Sequence, residues 1–289
     1  MTPPRAPVLV PSRRWDASVW TRFPALASTA AAASGFAHHT DFPTCLELSA
    51  LVRSYRSAGG AGLSFERQTK KKRVTSLAQA YDARIFHEGA IPTREGSWHD
   101  LFNALTWVSF PTAKRWVNAR QYAALAEVFG ARGTMPRSRT REQDALAMLD
   151  EGALLLVTTK ASESALRGAL FANDQPRVHA LIAGGEVLTL VFGHALAEHT
   201  VSSESMVRGL PVVLPVAAGS FERGPGSAEL LRAVDEALAV ELEGPFARAT
   251  GAGSATGGVV ALDLRAELFA GSPRSGPSGG MAGGQQAGC

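Results

Sequence analysis

The sequence predicts an α+β protein, helix-rich in its first half and carrying a small, mostly antiparallel sheet in its second. Three observations carry that expectation. Apolar residues recur at helical spacing as far as about residue 150, runs rich in Leu and Val appear only after it, and Gly184-Gly185 parts two such runs by two residues, as a hairpin turn does.

Taken in order, Leu46, Leu48, Leu51, Val52 and Tyr55 mark a helix entered near Thr44 and stopped by Gly59-Gly60. A short strand is expected at 63–67. A helix over 76–87 ends at Gly89, and Ile91-Pro92 makes a turn. Two helices then follow almost without a break, 98–110 and 112–129, because Pro111 suits a first helical position. Another is expected over 141–150. Strands are expected at 154–159, 178–183, 186–192 and 212–216. Leu230, Leu231, Val234, Leu238 and Leu242 define a closing amphipathic helix capped by Ser227.

Composition sets the organisation around those elements. Residues 1–18 are Pro-rich and read as a flexible arm, 19–245 as a single globular domain, and 246–289 as a Gly-rich flexible tail with too little apolar surface to offset its ordering entropy. The chain has 289 residues, 45% hydrophobic, with a formal net charge of +3. That excess is too small to mark a dedicated nucleic-acid module by itself. Cys45 and Cys289 lie far apart in chain and context, which excludes a disulfide framework and fits a reducing, cytoplasmic compartment. No apolar run is long enough to span a membrane. Ser12-Arg13-Arg14 ahead of the alanine-rich 25–33 has the outline of a twin-arginine signal, but Asp16, Arg22 and Pro24 interrupt it, and an amphipathic first helix is the preferred reading.

Four segments carry chemistry. Ser97 and Asp100 form a capping-box-like start to a helix on which His99, Asn103 and Thr106 share a stripe, with Asp100 and Trp107 beside it. Imidazole, carboxylate and amide converging there can hold a metal or position a proton, or can simply face solvent around a helix terminus. On the following helix Lys114, Asn118 and Gln121 repeat the pattern at i, i+4 and i+7. In 137–151, Asp144 and Glu151 are seven apart, hence on one face, and Arg141 is placed to pair with Asp144. Those acids could ligate a divalent cation, act as general base, or belong to a structural ion-pair network. Finally His194 and Glu198 lie one turn apart, without the spacing of a known zinc helix motif, so a buried histidine at a strand-to-helix junction competes with a metal ligand.

Pro92-Thr93-Arg94, Trp98-His99-Asp100-Leu101-Phe102-Asn103-Ala104-Leu105, Phe110-Pro111 with Lys114 and Asn118, Arg139-Thr140-Arg141 with Asp144-Ala145-Leu146, Asp150-Glu151, and Phe192-Gly193-His194-Ala195 together resemble a bacterial family catalogued as domain of unknown function 3025. The likeness spans about 25–244. It implies no established activity or cofactor. The sequence departs from the family's pattern at Ser138, where an asparagine is expected, at Ala147, where a threonine is expected, and in its Gly-rich tail.

Two functions follow as expectations. One is a metal-assisted hydrolase acting on a phosphorylated or otherwise anionic small substrate. His99, Asp100, Asp144 and Glu151 would then be the catalytic groups, and His99, Asp144 and His194 the ligands of a divalent metal ion. Arg94, Asn103, Lys114, Asn118, Arg139 and Arg141 would hold the substrate. No nucleophile elbow, phosphate-cradling loop or dinucleotide fingerprint is present. The other is a non-catalytic nucleic-acid or anion-binding protein using Lys70-Lys71-Lys72-Arg73 and the arginines at 132, 137, 139 and 141.

Overall fold

A computed structural model describes residues 42–68, 74–202, 207–243 and 262–264. The N-terminal arm, the alanine-rich 25–33, the basic run 70–73 and nearly all of the Gly-rich segment lie outside the described residues.

Local chemistry starts several of the helices. Thr44 and Glu47 form a reciprocal capping box for α1 (Cys45–Leu51). Strand β1 (Ser64–Arg67), a single 3-10 turn (Leu77–Gln79) and α2 (Tyr81–Glu88) follow. Ile91-Pro92, expected as a turn, lies within strand β2 (Ala90–Thr93), which pairs in parallel with β1. Pro92 is tolerated because this two-stranded sheet has only edges.

Helices α3 (Trp98–Ser109) and α4 (Pro111–Arg132) abut at Phe110, with Ser97 capping the first and Pro at the start of the second. Two backbone N–H groups at the N-terminus of α4 have no partner in their own helix. Thr112 and Ala113 each donate to the Asp235 carboxylate at 2.9 Å, from a helix more than a hundred residues away. Thr140 and Gln143 make a second capping box for α5 (Arg141–Gly152).

The fold is α+β, as expected. The main sheet, however, is mixed, because its central pairing is parallel. Strand β3 (Ala153–Thr159) lies at its centre, antiparallel to β4 (Val187–Val191) and parallel to β5 (Val207–Val216). Leu262–Leu264, inside the Gly-rich segment, adds β6 antiparallel to the start of β5. The Leu-rich run of β3 is buried on both faces, as a central strand covered by helices must be. Leu154 and Leu156 join the core under α3, while Leu155 and Val157 face Phe110, Val117, Leu230 and Val234 on the other side.

The expected hairpin at Gly184-Gly185 does not exist. After α6 (Lys160–Phe171), residues 178–183 belong to α7 (Gln175–Ala183). The Asp174 side chain accepts from the backbone N–H of Arg177, Pro176 fits the first turn, and Val178 and Leu181 form a buried i, i+3 pair. Gly184-Gly185 instead stops the helix, with Gly185 in the left-handed region at φ 74°. Helix α8 (His194–Ser202) then leads towards β5. Beyond β5 come α9 (Ala218–Glu222) and α10 (Ala228–Glu241), the latter capped by Ser227 as expected. Among the described residues no helix is long and apolar enough to cross a membrane.

Candidate functional site

Helix α3 is almost wholly buried, Asp100, Asn103 and Thr106 included. A helix buried all round cannot carry its polar stripe as a solvated face, so those side chains must find partners inside the protein. Thr106 does so through backbone carbonyls, donating to Phe102 and Phe192. The others open onto a cavity of about 320 Å³, lined from α2, β2, α3, α4, α5 and the start of α8.

Four neighbouring units make up its chemistry. In the first, Arg94 donates to the Asp100 carboxylate from Nε at 2.9 Å, from Nη2 at 2.7 Å and from its backbone N–H at 2.6 Å. His99 Nδ1 lies 3.1 Å from the same carboxylate. Burial opposes ionisation of Asp100, but these bonds outweigh it and hold its carboxyl far below the usual carboxylate range. A permanently ionised Asp100 can only accept, so His99 Nδ1 carries hydrogen and Nε2 is the nitrogen that gains or loses a proton. The bond to Asp100 raises His99 above the ordinary imidazole value.

The second unit is Lys114, only 3% exposed, whose ammonium donates to Asp150 at 2.5 Å and to Asn103 at 2.9 Å above the Trp107 ring. Burial resists charge on Asp150, yet Lys114 keeps its carboxyl below the ordinary value. The ammonium depends on that partner, because an unpaired buried charge is costly.

His194 is the third. Gly193 before it leaves no room for a side chain, since a Cβ there would fall 2.5 Å from the Ala153 backbone nitrogen. This close approach seats His194 beside α5, with Nδ1 at 3.8 Å from Asp150 and its ring edge-on to His99 at 4.5 Å. Burial pushes it down to about 4, so near neutral pH it is uncharged.

The fourth unit, on α2 and α4, is Asp82 with Asn118. The Asn118 amide donates to the Asp82 backbone carbonyl at 3.2 Å and approaches its carboxylate at 3.5 Å. Burial, followed by the nearby Asp150 charge, pushes Asp82 up to about 6. Next to it, 44% of Tyr81 is exposed, yet its hydroxyl accepts from Asn103 inside the wall, and burial there pushes its pKa above the usual tyrosine value, keeping the hydroxyl protonated.

Of the residues singled out in the sequence, Arg94, His99, Asp100, Asn103, Lys114, Asn118, Arg139, Glu151 and His194 line this one cavity. Arg141 and Asp144 do not; both are exposed on α5. The capping box starts α5 so that Gln143, Ala147 and Asp150, at i, i+4 and i+7, face the cavity, which turns Asp144 about 100° away. The metal set His99, Asp144 and His194 is therefore not assembled. Among the described residues no group of three or more His, Cys, Asp and Glu side chains is arranged to hold a metal ion. Asp100 and Asp150, the nearest acids to the two imidazoles, are already engaged by Arg94 and Lys114.

Asp82, Tyr81 and Gln143 line the cavity without having been singled out for it, and Asp150 had been noted only in the family likeness. Asp82 sits in the first turn of a helix, where an acid is ordinarily a terminus residue, so no local signal marks it. Arg139 stands at the exposed rim and makes no ion pair with another described residue.

A family model described as "Protein of unknown function (DUF3025)" matches residues 63–251, a span that contains every residue lining the cavity. No curated protein and no solved structure matches the chain.

Proposed function

The chain belongs to DUF3025, a family of proteins of unknown function, and from the chemistry of its cavity we propose that it is a hydrolase acting on a small phosphorylated or similarly anionic substrate. The observation that carries this is the pairing, in one cavity, of an imidazole held above its ordinary value by Asp100 with a carboxyl pushed up to about 6 at Asp82. Both groups are raised, yet the carboxyl stays below the imidazole, so the pair can divide base and acid roles at one pH.

Magnitudes choose which is which. A base must be ionised and an acid protonated at the same pH, so the group of lower pKa serves as base. Asp82, at about 6, is the base, and His99, held above the ordinary imidazole value, is the acid. The Asp82 carboxylate takes a proton from water as its oxygen attacks the substrate's phosphorus or acyl centre. His99 delivers its Nε2 proton to the departing oxygen as the old bond breaks. Solvent then returns a proton to His99 and removes one from Asp82. Lys114 supplies fixed positive charge, held by Asp150 and Asn103, and Arg139 at the rim is the cation left to meet an incoming anion. Arg94 has Asp100 to hold and acts through His99.

Acid–base chemistry of side chains is what this proposal uses, in place of the metal-assisted route. A panel of small phosphomonoesters and carboxylic esters tests it. Turnover is expected for at least one member and should fall about 100-fold or more in His99→Gln and Asp82→Asn while both stay folded. Turnover that survives both changes would overturn the proposal. No turnover, with salt-sensitive retention on a polyanion matrix, would favour the non-catalytic anion-binding alternative.

A further inference from the structure

We infer that the wall formed by α2 and α4 recognises hydroxyl groups, so that the substrate is a small polyhydroxylated molecule, a sugar-like skeleton bearing the anionic group. This names the substrate class of the site proposed above and rests on that proposal for the anionic end alone.

Unspent hydrogen-bonding capacity points there. Asn118 is 5% exposed, and its Oδ1 is buried without a partner. Its orientation is not arbitrary, because turning the amide over would set Oδ1 against the Asp82 carbonyl and carboxylate, which can only accept. The orphan is therefore an acceptor, and a ligand must bring it a donor. Tyr81 offers the complement. Its hydroxyl accepts from Asn103 and donates to no described residue. A third orphan, His194 Nδ1, is also buried in the lining and lies 3.8 Å from Asp150.

Polar groups left open within one cavity lining cost stability unless a ligand or water completes them. A hydroxyl both donates and accepts, so one ligand rich in hydroxyls serves all three positions. A flat heterocycle fits less well. Apolar side chains are the minority of the lining (Ile85, Pro92, Trp107, Val117 and Ala147), and the Trp107 face is covered by the Lys114 ammonium at 5.5 Å. The volume, about 320 Å³, stands at the small end of ligand cavities and suits a molecule of monosaccharide size.

Four probes test this by calorimetry and by ligand-observed NMR: a free aldohexose, its 6-phosphate, n-hexyl phosphate and inorganic phosphate. The hexose phosphate should bind at least about tenfold more tightly than hexyl phosphate, with roughly 3- to 10-fold lost for each hydrogen bond removed. That preference should shrink in Asn118→Leu. It should shrink again in Tyr81→Phe, which removes only the hydroxyl of a partly exposed ring and remains informative if Asn118→Leu does not fold. Equal binding of the two organic phosphates, or a preference unchanged in Tyr81→Phe, overturns the inference. Phosphate binding without any gain from hydroxyls would do so while leaving the anionic end standing. Binding of the free hexose without inorganic phosphate would sustain the hydroxyl wall and count against the phosphorylated-substrate reading.

Discussion

Arg94 grips Asp100 through two side-chain bonds of 2.9 and 2.7 Å, and Asp100 holds His99 at 3.1 Å, so an exposed guanidinium governs an imidazole that it does not touch through any hydrogen bond. Because Asp100 lies below its usual range and His99 above its own, the carboxylate stays charged and favours the imidazolium. Asp100→Asn should lower the pKa of His99, and the loss of activity at high pH should begin at lower pH. Histidine NMR titration reads the same shift without substrate. An unchanged His99 titration in Asp100→Asn would contradict the relay.

Lys114 is nearly inaccessible and bound to Asp150. Lys114→Met strands the carboxylate in the wall and should cost about 3–5 kcal/mol of stability. Adding Asp150→Asn should restore part of that loss, because the orphaned charge is then gone. Urea unfolding of the two single variants and the double variant measures the coupling. Additive losses would mean that the pair does not act as one unit.

Removing the long-range cap should loosen the base of α4. Asp235→Ala frees the N–H groups of Thr112 and Ala113 in a buried setting and should lower stability by about 1–2 kcal/mol. A fall in Tm is the readout. Lys114 follows Ala113 directly, so binding at the site should weaken as well.

Burial depresses His194 to about 4. Below the ordinary imidazole value the unfolded chain takes up a proton that the folded chain refuses, so this group removes stability as pH falls from about 6.5 to about 4 and nothing further below that. The whole window corresponds to about 3 kcal/mol. Asp82 acts in the opposite sense over part of the range, since its folded carboxyl is raised. The test is therefore the difference between wild type and His194→Gln across pH, which should shift by that amount in favour of the variant as acid is added. A difference independent of pH would show that His194 is solvated.

Much of the helical framework can be read from the sequence because its signals are local. Caps at Thr44, Ser97, Thr140 and Ser227 and the proline at 111 each fix a helix start through neighbours only a few residues away. The sheet is less legible. Gly184-Gly185 serves equally well as a hairpin turn or a helix stop, and the choice fell to the Asp174 cap and the buried Val178–Leu181 pair. Pairing of β3 with β5 in parallel depends on contacts far apart in the chain. At the site, the polar stripe of α3 was visible as periodicity, whereas the phase of α5 was not. Choosing Asp144 over Gln143 is a one-residue slip, and on a helix one residue is 100°. Asp82 and Tyr81 enter the cavity only through the packing of α2 against α4, which no nearby residue announces.

The pH dependence of kcat/KM on whichever ester is turned over tests the acid–base pair most directly. A bell is expected, rising through about 6 as Asp82 ionises and falling above the ordinary imidazole value as His99 loses its proton. The rising limb should vanish in Asp82→Asn and the falling limb in His99→Gln, each on a residual rate at least about 100-fold lower. A profile that keeps both limbs and its full height in either variant would contradict the assignment.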